Sequence, residues 1–171
     1  GRFELGLGAG VSSPEFEQMG IPFPTPGARV DHLEETIHLL KQLFTEKTVT
    51  FTGKYSTIKD LKGNLQTIQK PHMPILVAGA GERMLKLAAR EANIIAIGTK
   101  ITAHGADPTD PSLEQKIAWI KDAAGPRFPT LELSQTIFDL EITDSEPSIT
   151  QPNAWPTSKR PLTTEQAISL L

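Results

Sequence analysis

Cysteine is absent from all 171 residues. That excludes disulfides, thiolate nucleophiles and cysteine-based metal sites, and it fits a cytoplasmic protein. No apolar run approaches the roughly 20 residues a helix needs to cross a bilayer, and no signal-peptide pattern is present. Basic clusters are missing as well, and the formal net charge is −3, so neither nucleic acid nor a membrane surface is an expected partner. There is no internal repeat and no low-complexity tract. The remainder, 38% hydrophobic and 22% charged, is enough for one globular domain with its own core.

The most informative stretch is Pro74-Ile75-Leu76-Val77-Ala78-Gly79-Ala80-Gly81-Glu82-Arg83-Met84. Its uninterrupted apolar run predicts a strand buried on both faces of a parallel sheet. A small-residue turn follows, then a helical pattern that puts Met84, Leu87 and Ala88 on one face. Strand, glycine turn and helix N-terminus together can direct backbone N–H groups at an anion, and Gly79 and Gly81 remove the Cβ that would keep a phosphate away. The same glycines also suit a tight βα turn that needs small residues for geometry alone.

Arg2 to Gly10 alternates Phe3, Leu5 and Leu7 with small or polar neighbours and closes in Gly8-Ala9-Gly10. This predicts a second strand whose turn either receives a ligand or permits close packing. Four prolines between Ser12 and Gly27 predict a loop with at most one helical turn near Glu15-Phe16-Glu17. Val30, Leu33, Ile37, Leu40 and Phe44 then form one stripe of a long helix. Its acids (Asp31, Glu34, Glu35) lie near the start and its lysines (Lys41, Lys47) near the end, as the macrodipole favours. His32 and His38 are six residues apart and share no face, so a metal pair is not expected there.

Val49 to Ile58 reads as a hairpin around Gly53, followed by a polar connection over Lys59 to Lys70 and by Pro71 and Pro74, with His72 as a loop residue. Ile94 to Gly98 is a further buried strand. The loop from Thr99 to Asp110, with His104 and Asp107, follows a strand C-terminus and is a candidate site wall. Asp110-Pro111 is the expected N-cap of a helix that buries Leu113, Ile117, Ile120 and Ala124 and stops at Gly125-Pro126. Leu131 to Ile142 is β-rich with a change of apolar phase, as in a strand buried on both faces or one with a bulge. Asp144 to Pro161 reads as an exposed loop holding Trp155, and Thr163-Thr164-Glu165-Gln166 as a capping box. The chain starts directly on a strand-like pattern and its last helical pattern runs to Leu171 uncapped, so both ends are expected to be cut.

Strands near Phe3, Ile75, Ile94 and Leu133 alternate with helices near Leu33, Leu85 and Ile117. The series βαβαβαβ implies an α/β fold with a parallel sheet and right-handed crossovers. The sheet is either open and doubly wound or part of a (β/α)8 barrel, whose full form takes about 250 residues. Neither glycine turn matches G-x-G-x-x-G and no acid follows at dinucleotide spacing, which leaves a Rossmann-type nucleotide binder the weaker option.

Several separated segments resemble the luciferase-like monooxygenase family, and in detail its coenzyme F420-dependent oxidoreductase branch. They are Gly1 to Gly10, Gly20-Ile21-Pro22-Phe23-Pro24, Gly27 to Glu35, Gln69 to Gly81 and Leu87 to Ala92, in the family's order. The resemblance covers roughly Gly1 to Leu140. It implies a single-domain fragment over 1–171, a partial TIM barrel with about four of eight βα units and an insertion region at 11–70. It also implies coenzyme F420, or alternatively FMN, at the strand C-termini. The cofactor phosphate would rest on Ala78, Gly79, Ala80 and Gly81 with Arg83 beside them, and Gly8, Ala9 and Gly10 would line the cofactor. Arg83 is either a phosphate partner or a solvated helix residue.

The implied chemistry is hydride transfer with a small organic substrate, or flavin-based oxygen activation. The family's first three strands, with its usual catalytic histidine, have no counterpart here. Val11 stands where relatives often have tryptophan or an acid, so no residue is assigned a catalytic role. Two unpaired sheet edges invite a homodimer. The competing reading is a non-catalytic chain that keeps the phosphate cradle and binds a cofactor or a second copy.

Overall fold

The computed structural model describes residues 1–62, 67–102, 105–135, 140–143 and 160–163. The chain runs β1 (Leu5–Leu7), α1 (Ser13–Gln18), α2 (Pro26–Thr45), β2 (Thr48–Thr52), β3 (Thr57–Lys62), β4 (Ile75–Gly79), α3 (Glu82–Glu91), β5 (Ile94–Ile97), β6 (Ile101–Thr102), β7 (Gly105–Ala106), α4 (Leu113–Ala124), a 3-10 turn (Gly125–Thr130), β8 (Glu132–Ser134), β9 (Leu140–Thr143) and β10 (Arg160–Thr163). The main sheet has the order β1-β4-β5-β8, and every neighbouring pair in it is parallel. The expected βαβαβαβ series is therefore present, with α2, α3 and α4 as its crossover helices. Strand order follows chain order without the reversal that marks a doubly wound sheet.

One core joins that sheet to the helices. Ile75 and Val77 of β4 and Ile95 and Ile97 of β5 meet Leu33 and Ile37 of α2, Leu85 and Leu87 of α3 and Ile120 of α4. Alternation explains the choice of residues, because every second residue of a strand faces the same side. The expectation that β4 is buried on both faces is corrected: Leu76 is half-buried and Ala78 exposed. All three crossover helices contribute to the core on the Ile75–Val77 side, and the other face carries Gly6, Leu76, Ala78, Ile94 and Ala96, with Ile94 buried.

Caps set the helix limits. Thr25 Oγ1 accepts from the Ala28 amide at the start of α2, with Pro26 in the first turn. At α4 the cap is Ser112, which accepts from Gln115, and not Asp110 as expected; the Asp110 carboxylate is held by Lys116 instead. Gly125 ends α4 at φ +53, a backbone setting glycine reaches without strain. At the other end of α3, Arg127 donates to the carbonyls of Ala89 and Ala92, so the last turn has a cationic cap.

The charges of α2 serve inter-element contacts more than the macrodipole. Asp31 pairs with Arg83, Glu34 with Arg90, and Lys41 with Glu91, all three on α3. Glu35 reaches the hairpin β2–β3, where its carboxylate accepts from the amides of Lys54, Tyr55 and Ser56. The hairpin itself is as expected, with β3 reaching into the polar connection as far as Lys62.

Three further expectations change. The proline-rich loop contains α1, six residues long. The region from Leu131 divides into β8, an edge strand on which Leu133 is 36% exposed, and β9, which pairs with β10 in a separate parallel ribbon. Arg160 to Thr163 is thus strand where a loop and a cap were expected. Phe138, Trp155 and the rest of the capping box lie outside the described residues.

Candidate functional site at the strand C-termini

Parallel pairing brings the glycine turns together. Leu7 is in register with Val77, and Gly79 with Ile97. The segments leaving β1, β4 and β5, which are Gly8–Gly10, Ala80–Gly81 and Gly98 onward, consequently emerge side by side on one edge. Gly98 joins β5 to β4 there, donating its N–H to the Gly79 carbonyl at 2.8 Å.

Glycine is needed at these positions for different reasons. A Cβ on Gly8 or Gly81 would meet no atom of the described residues within 4 Å, so among these the space over both is open to an incoming group. A Cβ on Gly79 would overlap Met84 Cγ, so that glycine serves strand–helix packing. Gly10 adopts φ +76, and a Cβ on it would lie 3.0 Å from the Phe16 ring, so it serves the turn into α1. Ala9 packs against the core, while Ala78 is exposed and Ala80 half-buried. Val11 is 95% exposed.

The start of α3 differs from those of α2 and α4. Its N-cap, Gly81, has no side chain, and no side-chain acceptor meets the first turn. The first amides of a helix have no intrahelical partner, and together with the dipole they favour an anion. Arg83 is engaged elsewhere: its guanidinium grips Asp31 and donates to the Gly27 carbonyl at 3.3 Å. It joins α3 to the first turn of α2.

The loop after β5 is partly ordered by its own hydrogen bonds. Its short ribbon, β6 paired with β7, was not expected. Asp107 accepts from the Thr109 hydroxyl at 2.7 Å and the Thr109 amide at 2.8 Å, and these bonds hold its carboxyl below the usual range. His104 lies outside the described residues. The other histidines stand away from this edge. His32 stacks on Tyr55 with ring centroids 4.7 Å apart, and His38 Nε2 lies 3.2 Å from Glu91. His72 precedes β4, hence at the opposite edge, and its Nδ1 is 2.6 Å from the Met73 carbonyl.

A pair that the sequence reading missed sits behind the edge. Lys116, 3% exposed, donates to the Gly98 carbonyl at 2.7 Å and to Asp110 Oδ2 at 2.5 Å. The available signal was a lysine three residues after Leu113 and four before Ile120, on the apolar stripe of α4.

The description luciferase-like monooxygenase matches residues 1–108. This chain belongs to that family. It is 36% identical over 90 residues to an F420-dependent glucose-6-phosphate dehydrogenase of Kineococcus radiotolerans, a match covering 53% of this chain and 26% of that protein. It is 33% identical over 98 residues to the pyrimidine monooxygenase RutA of Cronobacter sakazakii, covering 54% and 25%. Among solved structures, an F420-dependent secondary alcohol dehydrogenase in complex with an F420–acetone adduct superposes with a TM-score of 0.64 at 22% identity, over 83% of this chain and 41% of that one. The chain thus spans under half the length of these relatives, and the likeness to the solved structure shows a shared fold.

Proposed function

We propose that this chain forms the phosphate-binding side of an oxidoreductase that passes hydride between a small organic substrate and coenzyme F420, with FMN as the alternative cofactor. The observation that carries the reading is the uncapped N-terminus of α3 beneath the open Gly81. A phosphate fits there on two grounds, both read among the described residues: no side chain caps the first-turn amides, and no atom blocks the approach at Gly81 or Gly8. F420-dependent relatives favour the deazaflavin over FMN. When bound, the cofactor ring supplies the hydride chemistry. The residues of this chain hold the phosphate (Gly81 and the first turn of α3), line the approach (Gly8, Ala9, Ala78 and Ala80) and fix the neighbouring backbone (Gly79, Gly10). In this reading Arg83, already paired with Asp31, braces α3 against α2 and leaves the phosphate to the first-turn amides.

The monotonic strand order and single helix layer support a partial barrel of about four of eight βα units, three of them complete and the fourth represented by β8 among the described residues, forming one domain. A cytoplasmic location and a homodimer closing the open edges belong to the same reading. Catalytic groups are assigned to no residue of this chain.

Fluorescence titration of the purified chain with F420 and, separately, FMN tests the proposal. Saturable binding of F420, weakened about tenfold or more by Gly81→Asp, is expected. Gly81 is the position to change, because Gly79→Asp would collide with Met84 whether or not a phosphate binds. Tighter binding of FMN would reassign the cofactor. Binding of neither by the folded chain, or equal binding by the variant, would overturn the reading.

A further inference from the structure

We propose that Lys116 is a positioning residue for the cofactor edge, resting on the reading above: it holds the Gly98 backbone in place against the Gly79 turn. The connection is continuous. The Gly98 N–H donates to the Gly79 carbonyl at 2.8 Å, and the Gly98 carbonyl receives the Lys116 ammonium at 2.7 Å. Gly98 is thereby fixed from both sides, by the turn before α3 and by the helix α4.

The same ammonium holds the far end of the loop through Asp110. One cation therefore ties the start of the β5–α4 connection to its end. Between them the backbone is bonded to itself, Asp107 N to the Lys100 carbonyl at 2.8 Å and Asp110 N to the Asp107 carbonyl at 3.0 Å. The stem of Lys116 lies in the apolar stripe of α4, so its charged end cannot reach water without leaving the core.

A general contribution to stability is a poor account of the pair. Asp110 Oδ1 is buried with no hydrogen-bond partner among the described residues, and the Lys116 and Asp110 side chains are 4% and 9% exposed. Buried ion pairs seldom stabilise more than apolar residues of equal volume, and an unmet acceptor lowers their value further. What the pair supplies is a fixed geometry at one edge. Its two anchor points, Gly98 and Asp110, both belong to the segment that borders the Gly79–Gly81 turn.

The test compares the native chain with Lys116→Met and Asp110→Asn by residue-resolved amide hydrogen exchange, together with F420 titration. Exchange at Gly98, Asp107 and Asp110 is expected to accelerate about tenfold or more in Lys116→Met, with Val77 and Leu85 unchanged, and F420 affinity is expected to fall at least about fivefold. Unchanged exchange at Gly98 would overturn the proposal. So would an equal acceleration at Val77 and Leu85, which is the signature of a merely structural pair. If Lys116→Met does not fold because it strands the buried Asp110 carboxylate, the double variant Lys116→Met/Asp110→Asn carries the same comparison, and its failure to fold would also overturn the assignment. If the native chain binds neither F420 nor FMN, the proposed function fails, whereas the exchange pattern still decides whether Lys116 positions Gly98.

Discussion

Gly53 and Glu35 occupy one shared volume: a Cβ on Gly53 would overlap the Glu35 carboxyl group. The missing side chain lets the α2 carboxylate enter the hairpin turn and accept from three successive amides, those of Lys54, Tyr55 and Ser56. Gly53→Ala should therefore push Glu35 out. Because the displaced group is the free end of a flexible side chain, the fold should survive. The expected result is faster amide exchange at Lys54, Tyr55 and Ser56, with core amides such as Leu85 unaffected.

Acid should loosen the contact between α2 and α3. Burial pushes the Glu91 carboxyl up, but hydrogen bonds from Lys41 and His38 together outweigh it, and the group stays below its ordinary value. A carboxylate lowered in the folded state adds stability that is fully present above the unfolded pKa of about 4.3. That stability is lost as pH falls through the lower folded value. Unfolding free energies from urea titration should separate the native chain from Glu91→Gln by about 1 kcal/mol near neutrality and converge as pH falls through the lowered folded value. Constant separation across that range would contradict the account.

Truncations on an inner strand and on its outer neighbour should differ in cost. Ile95, in the middle of the sheet, is fully buried, and Ile95→Ala should destabilise by about 2–5 kcal/mol. Leu133 on the edge strand β8 is 36% exposed, and Leu133→Ala should cost about 1 kcal/mol or less. Denaturant unfolding of the two variants measures both.

Gly79→Ala should destabilise by about 1–3 kcal/mol through overpacking. Adding Met84→Ala removes the Cγ that the new methyl would strike, but Met84 Cβ would remain 2.9 Å away. The second change should therefore relieve the clash while opening a cavity, and the two effects should be non-additive. A double-mutant cycle on unfolding free energies reads this directly. Strict additivity would show that the two side chains do not share the space.

Elements with a strong period were legible from the residues alone. The stripe Leu33, Ile37, Phe44 is buried on α2, Met84, Leu87 and Ala88 are buried on α3, and the runs at Ile75 and Ile94 are the central strands. The gathering of Gly8–Gly10 and Gly79–Gly81 at one edge followed from strand order. What escaped was set by side chains acting over distance. Asp110-Pro111 has the local form of a helix start, yet a lysine six residues on captures the aspartate. Arg83 reads as free on its helix, and only the packing of α2 on α3 brings it to Asp31. Gly79 and Gly81 look alike in a G-x-G turn, and only the position of Met84 assigns one to packing and leaves the other open.

The placement of β1 has a consequence for the order of assembly. β4, α3 and β5 follow one another over short connections and can form their contacts early, since closing a short loop costs little entropy. β1, in contrast, pairs with β4 among the described residues, and α1, α2 and the hairpin intervene between them. On a chain made from its N-terminus, Leu5 to Leu7 must wait for that whole stretch to emerge before they can pair with β4. The glycines that follow β1 accordingly reach their final place late, after the turn before α3 has been built.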